Sequence, residues 1–434
     1  MKLIEKQTLF PLDIIRYFDK YLNPPLNDVT IRLAVELWFS NQKECIEKYG
    51  HISQWNVIKV TNMQKLFLGK KDFNEDISKW RVNNVINMNH MFDGCQKFNG
   101  DLSQWKVDNV TDMNTMFRDC TIFNSDLSQW KVDNVEDMSF MFFHCDNFNS
   151  DISKWNVSKV KNMSYMFHYC NVFNSDISEW NTENVFNMSF MFNCCVFFNS
   201  DLSEWNVSDV RNMDGMFSGT VYFNSDLNKW NTSRVISMEG MFSGAESFNS
   251  NLNNWNTSRV KNMRHMFYNT TVFNSDINDW DVSNVTDMSY MFSDSHAFNS
   301  PLNNWNTVNV RNMEYMFASA LSFNQPLNDW NVSNVLHMVY MFSDCINFNQ
   351  DLNNWNTSRL VSVSGIFDGA TAFNGDISTW NVSNITDMSY MFNCASSFDR
   401  NISKWNVKKV TGIKSMFRSC PIQMNNKPKR FKHL

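Results

Sequence analysis

The chain repeats one arrangement of apolar and polar positions every 25 residues. Tryptophan marks the period fifteen times, from Trp55 to Trp405, without an insertion or a deletion. A unit this short cannot bury its own apolar face, so neighbouring units must stack and share one core. The pattern therefore predicts a solenoid of fifteen 25-residue coils over residues 51–420.

Each unit contains two shorter periods. From Val160 to Cys170 the apolar residues are spaced like one face of a helix. Just before them, Trp155 and Val157 alternate with polar residues, as in a strand. We therefore predict one short strand and one short helical segment per coil. This is the architecture of an α/β solenoid of the leucine-rich-repeat type.

Three apolar columns are assigned to the core. The positions of Met163 and Met166 also accept valine, leucine and isoleucine, so they require apolar volume and not a thioether ligand. The position of Cys170 also accepts alanine, serine and threonine, which metal ligands and disulfides would not. The sequence predicts no metal and no cofactor.

Two polar columns accompany the core. The position of Asn174 is asparagine in thirteen units, which predicts side-chain amides that bind turn backbone from coil to coil. The column that begins at Asp76 has two interpretations, a calcium-binding strip and a turn. Because Pro301 and Pro326 occupy this column and supply no carboxylate, we favour the turn.

Both ends depart from the repeat. Asp28 as an N-cap, an apolar face and Gly50 as a terminator predict one capping helix over residues 27–50. Residues 421–434 form a tail rich in lysine and arginine. We expect this tail to be frayed and solvated, with a nuclear-import or anionic-partner signal as the alternative.

Composition and charge restrict the classes of partner and the compartment. The net charge of -6 is modest for the length, so no bulk attraction to nucleic acid is expected. The chain contains no apolar run as long as a membrane span. Its amino terminus mixes charged and apolar residues, unlike a secretory signal. We therefore expect a cytoplasmic location, in which the ten cysteines are reduced.

Catalysis is not predicted. The histidines are scattered over different positions of the repeat, and no unit gathers a nucleophile, a base and an orienting group. The expected function is therefore that of a non-enzymatic scaffold for protein–protein interaction.

The consensus unit is Phe-Asn-x-Asp-Ile-Ser-x-Trp-Asn-Val-Ser-x-Val-x-x-Met-x-x-Met-Phe. From Ile52 to about Cys420 the chain resembles the repeat of the BspA-like leucine-rich-repeat surface proteins and of mollicute lipoproteins. The resemblance implies a binding solenoid, often displayed at a cell surface. A surface-displayed adhesin is therefore the alternative to a cytoplasmic scaffold.

Residues 1–26 are predicted to form a short helical segment. Phe10–Leu22 resembles the opening of an F-box, with Phe10 and Asp13 in place of the usual leucine and glutamate. An F-box joined to repeats resembles the F-box repeat proteins of giant viruses. The resemblance implies a substrate-recruiting role, contact with a Skp1-like ubiquitin-ligase adaptor, and the host cytoplasm if the protein is viral. An amphipathic helix that only packs on the cap is the alternative. The residues expected to contact the adaptor are Pro11, Asp13, Ile14, Ile15, Phe18 and Leu22.

Two variable surfaces are candidates for partner binding. The first is an aromatic stripe on the predicted helix, for which coil-to-coil stacking is the alternative. It consists of Phe140, Tyr165, Phe190, Tyr290, Tyr315 and Tyr340. The second is a basic patch, for which a solvated face is the alternative. It consists of Lys79, Arg81, Lys106, Lys131 and Lys154.

Overall fold

The structure, a computed structural model, describes residues 24–434. The chain divides into two compact units, one ending at Lys159 and one beginning at Val160. Each unit contains stacked 25-residue coils. Two α-helices precede the coils of the first unit, and short 3-10 turns lie near both ends of the described chain. The helices are α1, Thr30–Ser40, and α2, Gln42–Tyr49, and the 3-10 turns are Ile52–Gln54, Met424–Asn426 and Lys429–Phe431.

Neighbouring coils within each unit are joined by isolated parallel bridges between residues 25 apart. In the first unit the bridged column runs from Asn62 to Asp137, and in the second from Asn162 to Gly412. The strand that we predicted around Trp155 is therefore wrong in position, because pairing falls on the residues after Val160. The tryptophan segment instead forms turns with hydrogen bonds three residues back. Its apolar alternation reflects burial without strand pairing.

The predicted helical segment of each coil is also wrong, since the described coils contain turns in its place. In one coil, the N–H of Met216 donates to the carbonyl of Met213 at 3.2 Å, three residues back. Alternate N–H groups donate to the next coil at 2.7 to 3.2 Å, namely those of Met213, Gly215, Phe217 and Gly219. The backbone therefore bonds to its neighbouring coil, whereas a helix would bond to itself.

Left-handed backbone explains why these turns cannot continue into a helix. Gly215 has φ of 56° and Gly219 has φ of 72°, and every other described coil has positive φ at the same two positions. A right-handed helix requires negative φ throughout. Because turns of three residues also return apolar side chains to the core, their sequence spacing imitates that of a helix.

The core of each coil consists of the predicted columns, which the structure confirms. Met163, Met166, Phe167 and Cys170 are fully buried. The tryptophans and phenylalanines stack on their equivalents in adjacent coils, as in the pair of Phe217 and Phe242, with ring centroids 5.7 Å apart. The core is thus a set of continuous columns within each unit.

Buried polar atoms of the core donate to backbone carbonyls of the preceding coil. The thiol of Cys195 donates to the carbonyl of Phe167 at 2.8 Å, and the hydroxyl of Thr270 donates to that of Phe242 at 2.8 Å. This shared role explains why cysteine, serine and threonine alternate at one position. Burial raises the pKa of Cys95 to about 12, so this thiol stays protonated near neutral pH.

The two polar columns have the predicted roles. The N–H of Asn224 donates to the side-chain oxygen of Asn199, and that of Asn249 donates to Asn224 in turn, both at 2.9 Å. The Asp76 carboxylate accepts from the N–H of Ser78, two residues on, at 3.0 Å. The asparagine column therefore links coils, whereas the aspartate column closes turns.

Replacing Asn224 with alanine should lower the free energy of unfolding by about 1 kcal/mol, because the N–H of Asn249 loses its acceptor. Asn224→Asp keeps a side-chain oxygen, as Asp399 does where it accepts from Gln423, and should cost less. Urea unfolding of both variants measures the difference. Equal losses would contradict the assigned bond.

The amino-terminal cap differs from the single helix predicted over residues 27–50. Asn41 has φ of -151°, which interrupts the helix, and its side chain accepts from the N–H of Glu44 to begin α2. Asp28 is not an N-cap, because its carboxylate accepts from the N–H groups of Thr61 and Asn62 in the first coil. Gly50 ends α2 as predicted.

The basic tail is packed, so the prediction of a frayed end is wrong. Phe431 is 1% exposed, and Arg430 donates to the carbonyl of Val407 at 2.8 Å. The ammonium of Lys427 lies 5.0 Å from the ring centre of Phe417. Residues 421–434 therefore cover the last coil, which would otherwise expose its apolar end.

The F-box-like prediction for residues 1–26 falls mostly outside the described residues. All six residues expected to contact an adaptor lie there, namely Pro11, Asp13, Ile14, Ile15, Phe18 and Leu22.

From Pro24 onward, no helix is both long and apolar enough to cross a membrane.

Candidate binding surfaces

The aromatic stripe occupies a turn position and not the outer face of a helix. Each member has positive φ, for example 59° at Tyr290, and each is half-buried. The stripe is therefore only partly accessible to a partner. Its members are Phe140, Tyr165, Phe190, Tyr290, Tyr315 and Tyr340.

In the second unit these rings stack from coil to coil. Tyr290 and Tyr315 have centroids 4.6 Å apart with planes at 7°, and Tyr340 follows Tyr315 at 5.1 Å. His265 begins the series, 4.7 Å from Tyr290. We name these four residues the aromatic ladder. The contacts favour the alternative interpretation, in which the rings stiffen the coils.

A glycine ends the aromatic ladder. A Cβ atom on Gly365, which has φ of 61°, would lie 2.2 Å from a ring carbon of Tyr340. The Tyr340 ring therefore lies over the backbone of the next coil, in the space that a side chain at position 365 would occupy. Gly215 stands in the same relation to Phe190, with a distance of 2.4 Å. Glycine thus limits how far each stack extends.

Acidification should destabilise the aromatic ladder through His265. Burial lowers the pKa of His265, and nearby Arg264 lowers it further. The unfolded chain gains a proton near pH 6.5, before the folded chain does. Stability should therefore fall as the pH decreases from about 6.5 towards the lowered folded pKa.

The measurement is the melting temperature at pH 7.5 and at pH 5 for the native chain and for His265→Tyr. Tyrosine occupies this position in the next coil, at Tyr290. The variant should lose less stability on acidification than the native chain. An identical pH dependence would contradict the role of His265.

A second aromatic surface in the same unit is far more exposed. Phe197 and Tyr222 are each 54% exposed and stack at 5.6 Å, with ring planes at 9°. Val172, in the preceding coil, and Tyr169 are exposed as well. We name Tyr169, Val172, Phe197 and Tyr222 the exposed aromatic patch. Large apolar groups in consecutive coils form a contiguous surface suited to partner contact.

This patch was not predicted, because three of its four residues, Val172, Phe197 and Tyr222, lie outside the segments predicted as helical. Phe197 directly precedes the core residue Phe198, which is fully buried. A search for large apolar residues at one variable position in consecutive coils would have found Val172, Phe197 and Tyr222.

The basic patch lies in the first unit beside a shallow depression of about 490 Å³. All five predicted cations are exposed, namely Lys79, Arg81, Lys106, Lys131 and Lys154. Lys79, Arg81 and Lys106 line the depression.

Among residues 24–434, no group of three or more histidine, cysteine or acidic side chains could hold a metal ion.

Comparison with protein families gives one match that covers most of the chain. The family is described as "Mycoplasma protein of unknown function, DUF285". The match comprises four overlapping segments, residues 35–155, 136–255, 236–353 and 327–431. No curated protein matches the chain.

The chain is similar to several solved leucine-rich-repeat structures at low identity. An internalin from Listeria monocytogenes is 12% identical over 74% of this chain and 78% of its own, with a TM-score of 0.23. A TLR13–ssRNA13 complex is 11% identical over 86% and 71%, with a TM-score of 0.22. The functional domain of InlJ, also from Listeria monocytogenes, is 10% identical over 76% and 62%, with a TM-score of 0.17.

Proposed function

Since the chain belongs to the family described as Mycoplasma proteins of unknown function, DUF285, we propose that it is a non-enzymatic scaffold that binds another protein. The observation that carries the proposal is the exposed aromatic patch. Its two stacked rings leave more than half of their surface in contact with solvent. A folded chain gains nothing by keeping such rings in water, whereas a partner gains by covering them.

The patch has the properties of an energetic centre in a protein interface. Phe197 and Tyr222 hold each other in place, so binding would immobilise few additional rotors. Aromatic anchors in the middle of an interface commonly contribute about 2 kcal/mol or more each. Val172 extends the apolar surface by one coil.

The double variant Phe197→Ser, Tyr222→Ser should lose most of its partner. Affinity capture with the full chain, in lysate from its cell of origin, should recover a specific protein with the native chain and at least tenfold less with the variant. Ile122→Ser is the matched control, since Ile122 occupies the same repeat position in the first unit and is 42% exposed.

The control should recover the partner at the native level. Because the substituted rings are exposed, all three proteins should unfold at closely similar temperatures. Undiminished capture by the double variant, or recovery of nothing above background by the native chain, would remove the support for this function.

A more specific role as a substrate-recruiting F-box adaptor is proposed from the resemblance of Phe10–Leu22. Its partner would be a Skp1-like adaptor. Purified adaptor should bind the full chain, and changing Pro11, Ile14 and Ile15 to alanine should abolish binding. If the adaptor does not bind, or binds the variant as well as the native chain, the F-box role is contradicted. The scaffold proposal is unaffected by either result.

We propose that the scaffold is cytoplasmic, and a surface-displayed adhesin is the competing proposal. The cytoplasmic proposal is supported by thiols that act as hydrogen-bond donors, such as Cys120 to the carbonyl of Phe92 at 3.1 Å. Labelling of intact cells with a membrane-impermeant reagent should leave the chain unmodified. Labelling would favour the adhesin.

A further inference from the structure

One position of the repeat changes chemistry in three consecutive coils of the first unit. The residue after each repeat tryptophan is asparagine in eleven coils and aspartate in one. In the three remaining coils it is Arg81, Lys106 and Lys131. We name these three residues the cation column.

The residue replaced by the cation column has a structural role elsewhere. The N–H of Ser233 donates to the side chain of Asn231 at 3.2 Å, and the equivalent bond is present in ten further coils. Lysine and arginine have no acceptor atom and cannot form it. The three coils therefore give up a turn bond that stabilises the others.

The cations also stand close to one another. Adjacent coils are spaced like paired strands, about 4.8 Å apart, and like charges opposite one another are destabilising. Arg81, Lys106 and Lys131 are all exposed. Within residues 24–434, their side chains make no hydrogen bond or ion pair. Asp108 and Asp133, two residues after Lys106 and Lys131, offset part of the repulsion among the cations. No side-chain bond replaces the lost turn bond, however, and this unreplaced bond indicates selection for an external ligand.

The surroundings of the cation column favour a protein over a nucleic acid or a sulfated polysaccharide. Asp108 and Asp133 form an acidic column beside it, since the amide of Asn156, one coil further, reaches the Asp133 carboxylate at 2.7 Å. A uniformly anionic backbone would be repelled by these acids, whereas a helix can present lysines to them on the face that flanks its carboxylates. The adjoining tryptophan rings are buried, so no indole is available to stack on a base.

We propose that the cation column docks an acidic α-helix of a partner protein, with one carboxylate per helical turn. A helical turn rises about 5.4 Å and a coil about 4.8 Å, so three successive pairs drift by about 1 Å. Lysine and arginine side chains are long enough to absorb this difference. This inference rests on the proposed function only in that the partner is a protein. The cation column lies in the first unit, whereas the exposed aromatic patch lies in the second.

The test uses the full chain and a fluorescent, alanine-rich helical peptide with glutamate at positions i, i+4 and i+7 and lysine on the flanking face. Fluorescence anisotropy at low ionic strength measures binding. The triple variant Arg81→Asn, Lys106→Asn, Lys131→Asn should bind about tenfold more weakly. Because it restores the repeat residue, its melting temperature should equal or exceed that of the native chain.

The matched control is Arg211→Asn, Lys261→Asn, Arg311→Asn, which removes the same charge from exposed residues of the second unit. It should keep native affinity. An equal loss in the control, no peptide binding by the native chain, or a lower melting temperature of the first variant would overturn the proposal.

Binding of heparin and of a single-stranded oligothymidylate to the full chain tests whether the cation column binds polyanions in general. Tighter binding of either than of the peptide, with the same sensitivity to the cation column, would also overturn the proposal. Phe197→Ser, Tyr222→Ser should leave peptide binding intact. Failure of the aromatic patch to bind its partner is thereby separated from failure of the cation column.

Discussion

Replacing Phe242 with alanine should lower the free energy of unfolding of the second unit by about 3–5 kcal/mol. The side chain is fully buried, and its ring lies 4.0 Å from that of Phe248 in the same coil. It also stacks on Phe217 and Phe267, each at 5.7 Å, in the two neighbouring coils. The cavity would therefore remove contacts from three coils at once.

Urea unfolding of the full chain measures this loss, and hydrogen exchange should place it in the coils around Phe242. Ile236→Ala is the matched control, since Ile236 is 44% exposed and its truncation should cost well under 1 kcal/mol. Comparable losses in the two variants would contradict the assignment of the phenylalanine column to the core.

Changing Arg118 to alanine should lower the free energy of unfolding of the first unit by about 2 kcal/mol, because the buried Asp93 carboxylate loses its cationic partner. Asp93 is 2% exposed, and its carboxylate accepts from Arg118 at 2.8 Å and from His90 at 2.7 Å. Since Arg118 is 42% exposed, water screens part of the interaction and keeps the cost below that of a fully buried pair.

The double variant Asp93→Ser, Arg118→Ser should recover most of that stability, because both charges are removed together. Serine occupies this repeat position in Ser218 and Ser243, so the replacement fits the coil. Thermal and urea unfolding of the single and double variants provide the comparison. A double variant as unstable as Arg118→Ala would show that packing, and not the buried charge, sets the cost.

Much of the core could be predicted because the fifteen units show which residues can replace one another at each repeat position. Met163 and Cys170 were assigned to the core from the residues that replace them in other coils, and both are fully buried. The asparagine column was predicted in the same way. Residues that replace one another at a repeat position share one environment, whatever the backbone conformation there.

The path of the backbone could not be predicted from the same pattern. Turns and helices both return apolar residues to the core at intervals of three or four, so the Val160–Cys170 segment suits either. The distinguishing signal is glycine, at Gly215 and Gly219 for instance, which indicates left-handed backbone. Tyr290 and Tyr315 at equivalent positions conceal it, since bulky residues seldom adopt positive φ.

The same error misplaced the candidate binding surface. On a helix, the Tyr315 position would point away from the core, whereas the left-handed turn lays its ring on those of Tyr290 and Tyr340. Phe197 lies outside the segment predicted as helical, so the predicted aromatic stripe does not include it. The cations Arg81, Lys106 and Lys131 were identified, but the bond that they displace is visible only in three dimensions.

Pairing between residues 25 apart restricts how such a gene can change. Within a unit, losing or gaining one residue would shift every later side chain relative to the bridged column that begins at Asn162. Loss or duplication of a whole coil would keep the register, because each coil presents the same bonds to its neighbours. Unequal recombination between repeats could therefore vary the length of the array while keeping every surviving coil folded.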